Sequence, residues 1–543
     1  MSHRTTLSLL LTFALLAQGF AEGASAQSGA GGRARGGQAV DQPEAAEVLA
    51  GAVRAISRMH MDSFSDSLLW EAAIDGLIES LNDPYAELFT PAESDAWEEQ
   101  TTGNYAGIGL QITLLNDEVT VTAVFRGFPA FEAGIVEGDV IVGVNSTDVA
   151  DWSTEVAADS IRGPAGTEVR VRVRREGYEE PLAFEITRAE VHVPAVESGM
   201  LQEDIGYVVM DRVARGAAEE MDAVLEEMED ARGLIIDLRR NPGGFLDESL
   251  MLADLFLEPG STLASTVQRA PGRSADEPDE ESFSDQWPVR MPDLPLVVLV
   301  DGYTASGAEI LAGALQDYDR ALVLGDRTFG KGLVQTVMEL PHGRRLRFTT
   351  GTWLTPLKRS LQRARSRDGT PLPEDSASWA TVTTAQGREL VNGGGIFPDL
   401  EIQEDTLLLP EQELVRVTNE LEFPLNLRVT EFGFRMASAR RAANQPPGVT
   451  DAEFDAFMAQ LLTEGLPENL ANDPTVRNYL RWRSRISVAQ RMRDVGAEHD
   501  VIAERDPVLA EAIRLLTTND TQTELFTAID ATTRQAQAST PVN

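Results

Sequence analysis

The apolar positions of this 543-residue chain change period several times, and each change marks a boundary. Across 41–102 they recur at helical spacing, as in Val48, Ala52 and Ile56 and again in Leu68, Leu69, Ala72 and Ile74, which predicts an N-terminal helical segment. The run Asn82-Asp83-Pro84-Tyr85 breaks it in a turn. From 103 to 190 the pattern shortens to strands at 109–115, 119–124, 140–144 and 168–174, separated by glycine-rich turns, as in a small β-rich module.

Between 191 and 404 apolar strands alternate with helices. Strands are predicted at 205–210, 233–238 and 295–300, and helices at 217–228, 246–257 and 306–315. Strand-rich sequence resumes through 334–340 and 346–353. The alternation argues for an α/β core in a multidomain chain. A very acidic, Ser/Pro-rich stretch at 271–287 is expected to be a surface loop. The extension 405–543 is helical by pattern, with breaks at Pro446, Pro467 and Pro474.

The first residues carry an address. Arg4 precedes an apolar stretch at 7–17, too short to span a bilayer, and Ala24-Ser25-Ala26 offers a cleavage site. Residues 1–26 therefore have the form of a secretory signal peptide, followed by a Gly/Ser/Arg-rich linker at 27–40. The expectation is an exported protein, periplasmic or extracellular, with no stable membrane span.

Composition narrows the chemistry. Cysteine is absent, which removes thiol nucleophiles, Cys-ligated zinc, iron–sulfur clusters and disulfides. The net charge of −41 argues against broad nucleic-acid binding. The mature chain keeps His60, His192, His342 and His499, none in a catalytic or zinc motif. His192 alternates with Val191 and Val193 and is expected to be structural. Of 46 basic residues only Lys331 and Lys358 are lysines.

A lysine can act as a general base if it is kept neutral, which takes a downward shift of roughly three units, or about 4 kcal/mol. Phe329, Gly330, Gly332, Leu333 and Val334 give Lys331 an apolar setting, whereas arginine does not deprotonate. Chance retention at a surface is the plainer alternative. Ser306 stands where an apolar strand turns into a helix, a place for a nucleophile beside oxyanion-stabilising N–H groups, or for an ordinary N-cap serine. Arg239-Arg-Asn-Pro-Gly-Gly244 makes a second such turn, or simply a tight one.

The runs TASGAEILAGALQD (304–317), TFGKGLVQ (328–335), DLRRNPGG (237–244) and GGGIFPDLEI (393–402) closely resemble the C-terminal processing peptidases, or tail-specific proteases, across 41–404. The resemblance implies a serine nucleophile, Ser306, activated by Lys331 and supported by Gln335. It also implies an oxyanion hole from the N–H groups of Gly307 and Gly244, and no metal or organic cofactor. One departure is Ala308, where family members usually carry a second serine.

Tyr105-Ala-Gly-Ile108-Gly109-Leu110 resembles the carboxylate-binding loop of a PDZ domain, and residues 127–145 match the rest of one. The N–H groups of Ile108, Gly109 and Leu110 would hold the C-terminus of a protein or peptide that adds as a strand. Residues 320–368 hold 11 basic and three acidic side chains. That island reads as compositional drift, with pairing to the acidic N-terminal helices or attraction of acidic tails as alternatives. The extension past 405 leaves docking on the core, homo-oligomerisation and an adaptor or substrate-presenting role open. The expected function is an exported serine endopeptidase cutting unfolded proteins or their C-terminal regions. Its rivals are a catalytically silent PDZ scaffold and an acyl-CoA enzyme on a related fold.

Overall fold

The computed structural model describes residues 42–115, 118–149, 152–175, 177–269, 278–366, 368–375 and 379–529. The expected signal peptide and linker lie outside these residues. The chain divides into two units, residues 1–76 and 77–543. The first holds the helix Gln42–Met59 and the start of Asp66–Ser80, with Val48, Leu49, Ile56 and Leu68 exposed.

The second unit is built on a six-stranded sheet. Its order is Val196–Leu201, Ile205–Met210, Gly233–Asp237, Leu296–Val300, Leu322–Gly325 and Leu400–Glu401. Only the first pair is antiparallel. The central strands are continuous apolar runs because both faces are covered. One face packs on the helices Ala217–Glu227, Leu246–Asp254 and Gly307–Asp317. The other carries Ile235, Val297, Leu299 and Leu322 against Leu509, Leu515 and Phe526 of the C-terminal extension. That extension therefore docks on the core, one of the alternatives the sequence left open. It also has a core of its own, where Phe432 stacks on Phe457 at 4.5 Å.

A second sheet joins Glu87–Phe89, Arg344–Leu354, Thr262–Arg269 and Pro278–Ser284, with Leu333–Leu340 also on Arg344–Leu354. The acidic loop expected at 271–287 is corrected here. Residues 270–277 lie outside the described set, and Pro278–Ser284 is an antiparallel edge strand. Thr262–Arg269 supplies its backbone partners, and its acidic side chains suit a solvated edge that must not pair further.

The β-rich module forms its own sheet, Leu110–Leu115, Glu118–Val124, Val140–Val144, Glu168–Arg174 and Leu182–Thr187, over a core that includes Ile108, Val121, Ile141 and Val171. The strands Asn104–Gly107 and Ala189–His192 pair where the chain enters and leaves it. His192 bridges them to the core as a structural residue, with Asn104 at 2.7 Å on one ring nitrogen and Glu220 at 2.6 Å on the other.

Candidate active site

Parallel neighbours in a sheet end at the same edge. Gly233–Asp237 and Leu296–Val300 are such neighbours, so the turns after them, 238–245 and 301–306, lie together. Hydrogen bonds stitch the two. Asp301 accepts from the N–H groups of Tyr303 and Thr304, both at 2.9 Å, and from that of Arg240 at 3.0 Å in the other turn. The Thr304 hydroxyl donates to the Leu238 carbonyl at 2.8 Å, and the Ala305 N–H to the Asn241 carbonyl at 2.9 Å.

Ser306 sits at the tip with φ 53° and ψ −116°, immediately before the helix Gly307–Asp317. A non-glycine residue holds that conformation at a cost of about 1–3 kcal/mol, which the surrounding bonds must offset. Gly243 lies so close that a Cβ there would meet the Gly307 nitrogen at 2.5 Å and the Ser306 Cβ at 2.9 Å. Only glycine lets the second turn approach the serine. Among the described residues, the N–H groups of Gly244 and Gly307 donate to no protein acceptor. They also lie side by side, since a Cβ on Gly307 would come within 3.1 Å of the Gly244 nitrogen.

Lys331 and Gln335 flank the same site. The lysine Nζ donates to the Gln335 Oε1 at 2.8 Å, and the glutamine Nε2 donates to the Tyr85 carbonyl at 3.2 Å. The Lys331 pKa is lowered to about 8: burial and, after it, the neighbouring Arg347 guanidinium push it down, and the Glu309 and Asp83 carboxylates oppose both. Ser306, Gly307, Gly244, Lys331 and Gln335 all line one cavity of about 700 Å³.

Glu309 was not a sequence candidate, yet it ties the two halves together. One of its oxygens accepts from the Thr328 hydroxyl at 2.5 Å and the Gly330 N–H at 2.8 Å. The other accepts from the N–H groups of Ser306 and Lys331, each at 2.8 Å. Burial raises its pKa, and the four donated bonds hold that rise back. The signal available in the sequence was a lone acid in the otherwise uncharged run TASGAEILAGAL, a helix stretch that is buried throughout. Ala308, at the departure noted above, is fully buried in the core.

Several arginines of the basic island form ion pairs. Arg345 meets Glu98 at 2.7 Å, Arg347 meets Glu87 at 2.6 Å, Arg327 meets Glu374 at 2.8 Å and buried Arg359 meets Asp317 at 2.6 Å. The first two pairs join it to the acidic segment ahead of the β-rich module.

In that module Ile108 is buried and its carbonyl accepts from the Ala130 N–H at 2.8 Å. Gly109 has φ 77° and packs against Phe128, and its carbonyl accepts from the Phe125 N–H at 3.0 Å. Among the described residues the N–H groups of Ile108 and Gly109 have no acceptor. Leu110 opens Leu110–Leu115, an edge strand paired on one side only.

The chain matches Peptidase family S41 over residues 204–368 and a PDZ domain over residues 120–175. It is similar to a CtpA-like serine protease of Staphylococcus aureus, 34% identical over 54% of this chain, and spans 58% of that relative's length. Among solved structures it is similar to the photosystem II D1 C-terminal processing protease at 25% identity. That likeness covers 66% of this chain and 92% of that one, with a TM-score of 0.33. A carboxy-terminal-processing protease of Bartonella bacilliformis is 32% identical over 55% of this chain and 68% of its own length. With that match, the chain belongs to the carboxy-terminal-processing proteases of Peptidase family S41.

Proposed function

We propose that the protein is an exported serine endopeptidase that cuts unfolded proteins or their C-terminal regions, with Ser306 as nucleophile and Lys331 as general base. The observation that carries the reading is the meeting of two turns around a strained serine, with two unused N–H groups beside it and a partly buried lysine lining the same cavity. Lys331 Nζ takes the hydroxyl proton as the Ser306 oxygen attacks the scissile carbonyl. The N–H groups of Gly244 and Gly307 hold the oxyanion that forms, each such donor being worth about 10²–10³ in rate. The lysine then returns the proton to the leaving amine, and a water deprotonated by the same group hydrolyses the acyl-enzyme. Gln335 orients Lys331 without adding a charge that would favour the ammonium.

The β-rich module binds substrate C-termini in this reading. A terminal carboxylate would take the N–H groups of Ile108, Gly109 and Leu110, and the peptide would extend the open edge of Leu110–Leu115.

Degradation of a fluorescently labelled unfolded protein by the full chain and by Ser306→Ala tests the proposal. Cleavage by the first and none by the second is expected, with a C-terminal peptide still bound by both. Equal cleavage by both overturns the mechanism, and binding without cleavage by either leaves the scaffold reading standing in its place. Export rests on residues 1–26 and is read by fractionating cells that express the chain. Recovery of the full-length protein from the cytoplasm alone overturns that part.

A further inference from the structure

The glutamine that supports the base is itself held by a residue 250 positions away in the sequence, at the turn ahead of the β-rich module. Tyr85 follows Asp83-Pro84 there, and Asp83 fixes the turn at both ends. One carboxylate oxygen accepts from the Tyr85 N–H at 3.0 Å, and the other from the Thr349 N–H at 2.9 Å on the strand Arg344–Leu354. Directly afterwards Glu87–Phe89 pairs with that same strand, Glu87 opposite Arg347. The Tyr85 backbone is thus anchored on two sides before it reaches the site.

Two contacts follow. The Tyr85 carbonyl accepts from the Gln335 Nε2 at 3.2 Å, and the Tyr85 ring centroid lies 4.8 Å from the Lys331 Nζ. The first selects one of the two orientations of the glutamine amide. With its nitrogen committed to a carbonyl, its oxygen faces the lysine. The flipped amide would set oxygen against oxygen at Tyr85 and N–H against N–H at Lys331. The second contact covers the lysine nitrogen with an aromatic wall and keeps water from that side. Among the described residues the buried Tyr85 hydroxyl has no hydrogen-bond partner, so the ring is not there to satisfy its own polar tip.

We propose that Tyr85 is a positioning residue of the active site: its carbonyl sets the Gln335 amide and its ring shields the Lys331 nitrogen from water, so that the residue completes the base. The inference rests on Lys331 being the base. The charged groups around that nitrogen are Asp83 on the same turn, Glu309 on the helix Gly307–Asp317 and Arg347 on Arg344–Leu354, with Arg365 next to the Tyr85 ring. None of them is removed by changing Tyr85. A ring attracts a cation, so its loss alone would ease deprotonation. Burial is nevertheless the largest influence on Lys331, so admitting water outweighs that effect and the lysine holds its proton more tightly.

Because the chain has two lysines, lysine labelled with ¹³C at Cε gives two side-chain signals, Lys331 and Lys358 as internal reference. The test titrates both by NMR in the full chain, in Tyr85→Ala and in Tyr85→Phe, and records kcat/KM against pH on the unfolded protein. Tyr85→Ala is expected to move the Lys331 midpoint and the acid limb of kcat/KM upward together by about one unit, about a tenfold loss at pH 7. Tyr85→Phe, which keeps the ring while all three chains keep the backbone carbonyl, restores both midpoints, and the Lys358 signal serves as the unmoved reference. Should Tyr85→Ala fail to melt cooperatively, Tyr85→Val is read in its place. An unmoved Lys331 midpoint in the folded Ala or Val chain, or an equal shift in Tyr85→Phe, overturns the inference while leaving Lys331 as base. A Ser306→Ala chain that still cleaves overturns both.

Discussion

Lys331 and Lys358 flank the same hairpin, Leu333–Leu340 and Arg344–Leu354, and the fold treats them in opposite ways. Lys358 donates to the Ser265 hydroxyl at 2.7 Å and pairs with Glu280 at 2.5 Å, both partners of the ion pair about half exposed. Lys331 makes no ion pair among the described residues and instead donates to an uncharged amide. Lys358 thus has a carboxylate partner at the surface, whereas Lys331 is partly buried beside an arginine with an uncharged amide as its side-chain acceptor. The comparison shows that residue type alone does not make a base. What matters is burial and the balance of nearby charges: at Lys331 burial and Arg347 outweigh the Glu309 and Asp83 carboxylates.

The largest expected effect comes from exchanging each lysine for arginine. Lys331→Arg keeps a positive charge but cannot shed the proton, so kcat/KM should fall by at least about 10³-fold. Lys358→Arg retains its partners and should stay within about twofold of the parent chain. Comparable losses in the two chains would erase the distinction between the sites.

The sequence made one side of this comparison readable and hid the other. The strands of the parallel sheet stood out because they are buried on both faces and therefore uniformly apolar, as in Leu-Val-Val-Leu-Val at 296–300. The turn at 239–244 stood out because close approach demands glycines there, Gly243 above all, and that at 301–306 because Ser306 stands between an apolar strand and a helix. Lys331 stands two residues ahead of the strand Leu333–Leu340 that carries Gln335, and their pairing was an expectation carried by the family resemblance. Tyr85, Arg347 and Glu309 could not be placed, because their roles arise from contacts across the fold, Tyr85 to Gln335 across the whole β-rich module. The strand Pro278–Ser284 was missed for a related reason. Its side chains are acidic and solvated, and its extended form comes from the backbone of a neighbour.

Glu309 gives the next largest effect. Its two oxygens accept four hydrogen bonds, and a glutamine has only one oxygen to offer. Glu309→Gln therefore leaves two buried donors facing an N–H₂ group, at a cost of about 1–3 kcal/mol each, and loosens the link between the serine turn and the Lys331 loop. Activity should fall by about 10²-fold and the thermal midpoint with it. The variant also removes a carboxylate that raises the lysine pKa. The Lys331 titration should consequently move down, away from the direction expected of Tyr85→Ala. A large loss of activity accompanied by an upward shift would mean that Glu309 acts through solvent access instead.

Arg347 supplies the finest adjustment. It sits in the strand Arg344–Leu354, is held by Glu87 at 2.6 Å, and lowers the Lys331 pKa as a neighbouring cation. With Lys331 as the proposed base, kcat/KM should rise with pH as its proton leaves, with a midpoint near about 8. Arg347→Gln takes away a positive charge, the ammonium becomes easier to keep, and the midpoint moves up. Arg347 is partly solvated and already paired, which limits the effect to about half a unit, or about threefold in activity at pH 7. At pH 10 both chains hold a neutral lysine and should cleave at the same rate. A deficit of equal size at pH 7 and pH 10 would mean that Arg347 contributes through substrate contacts in the cavity it lines, and the electrostatic contrast between the two lysines would then rest on burial alone.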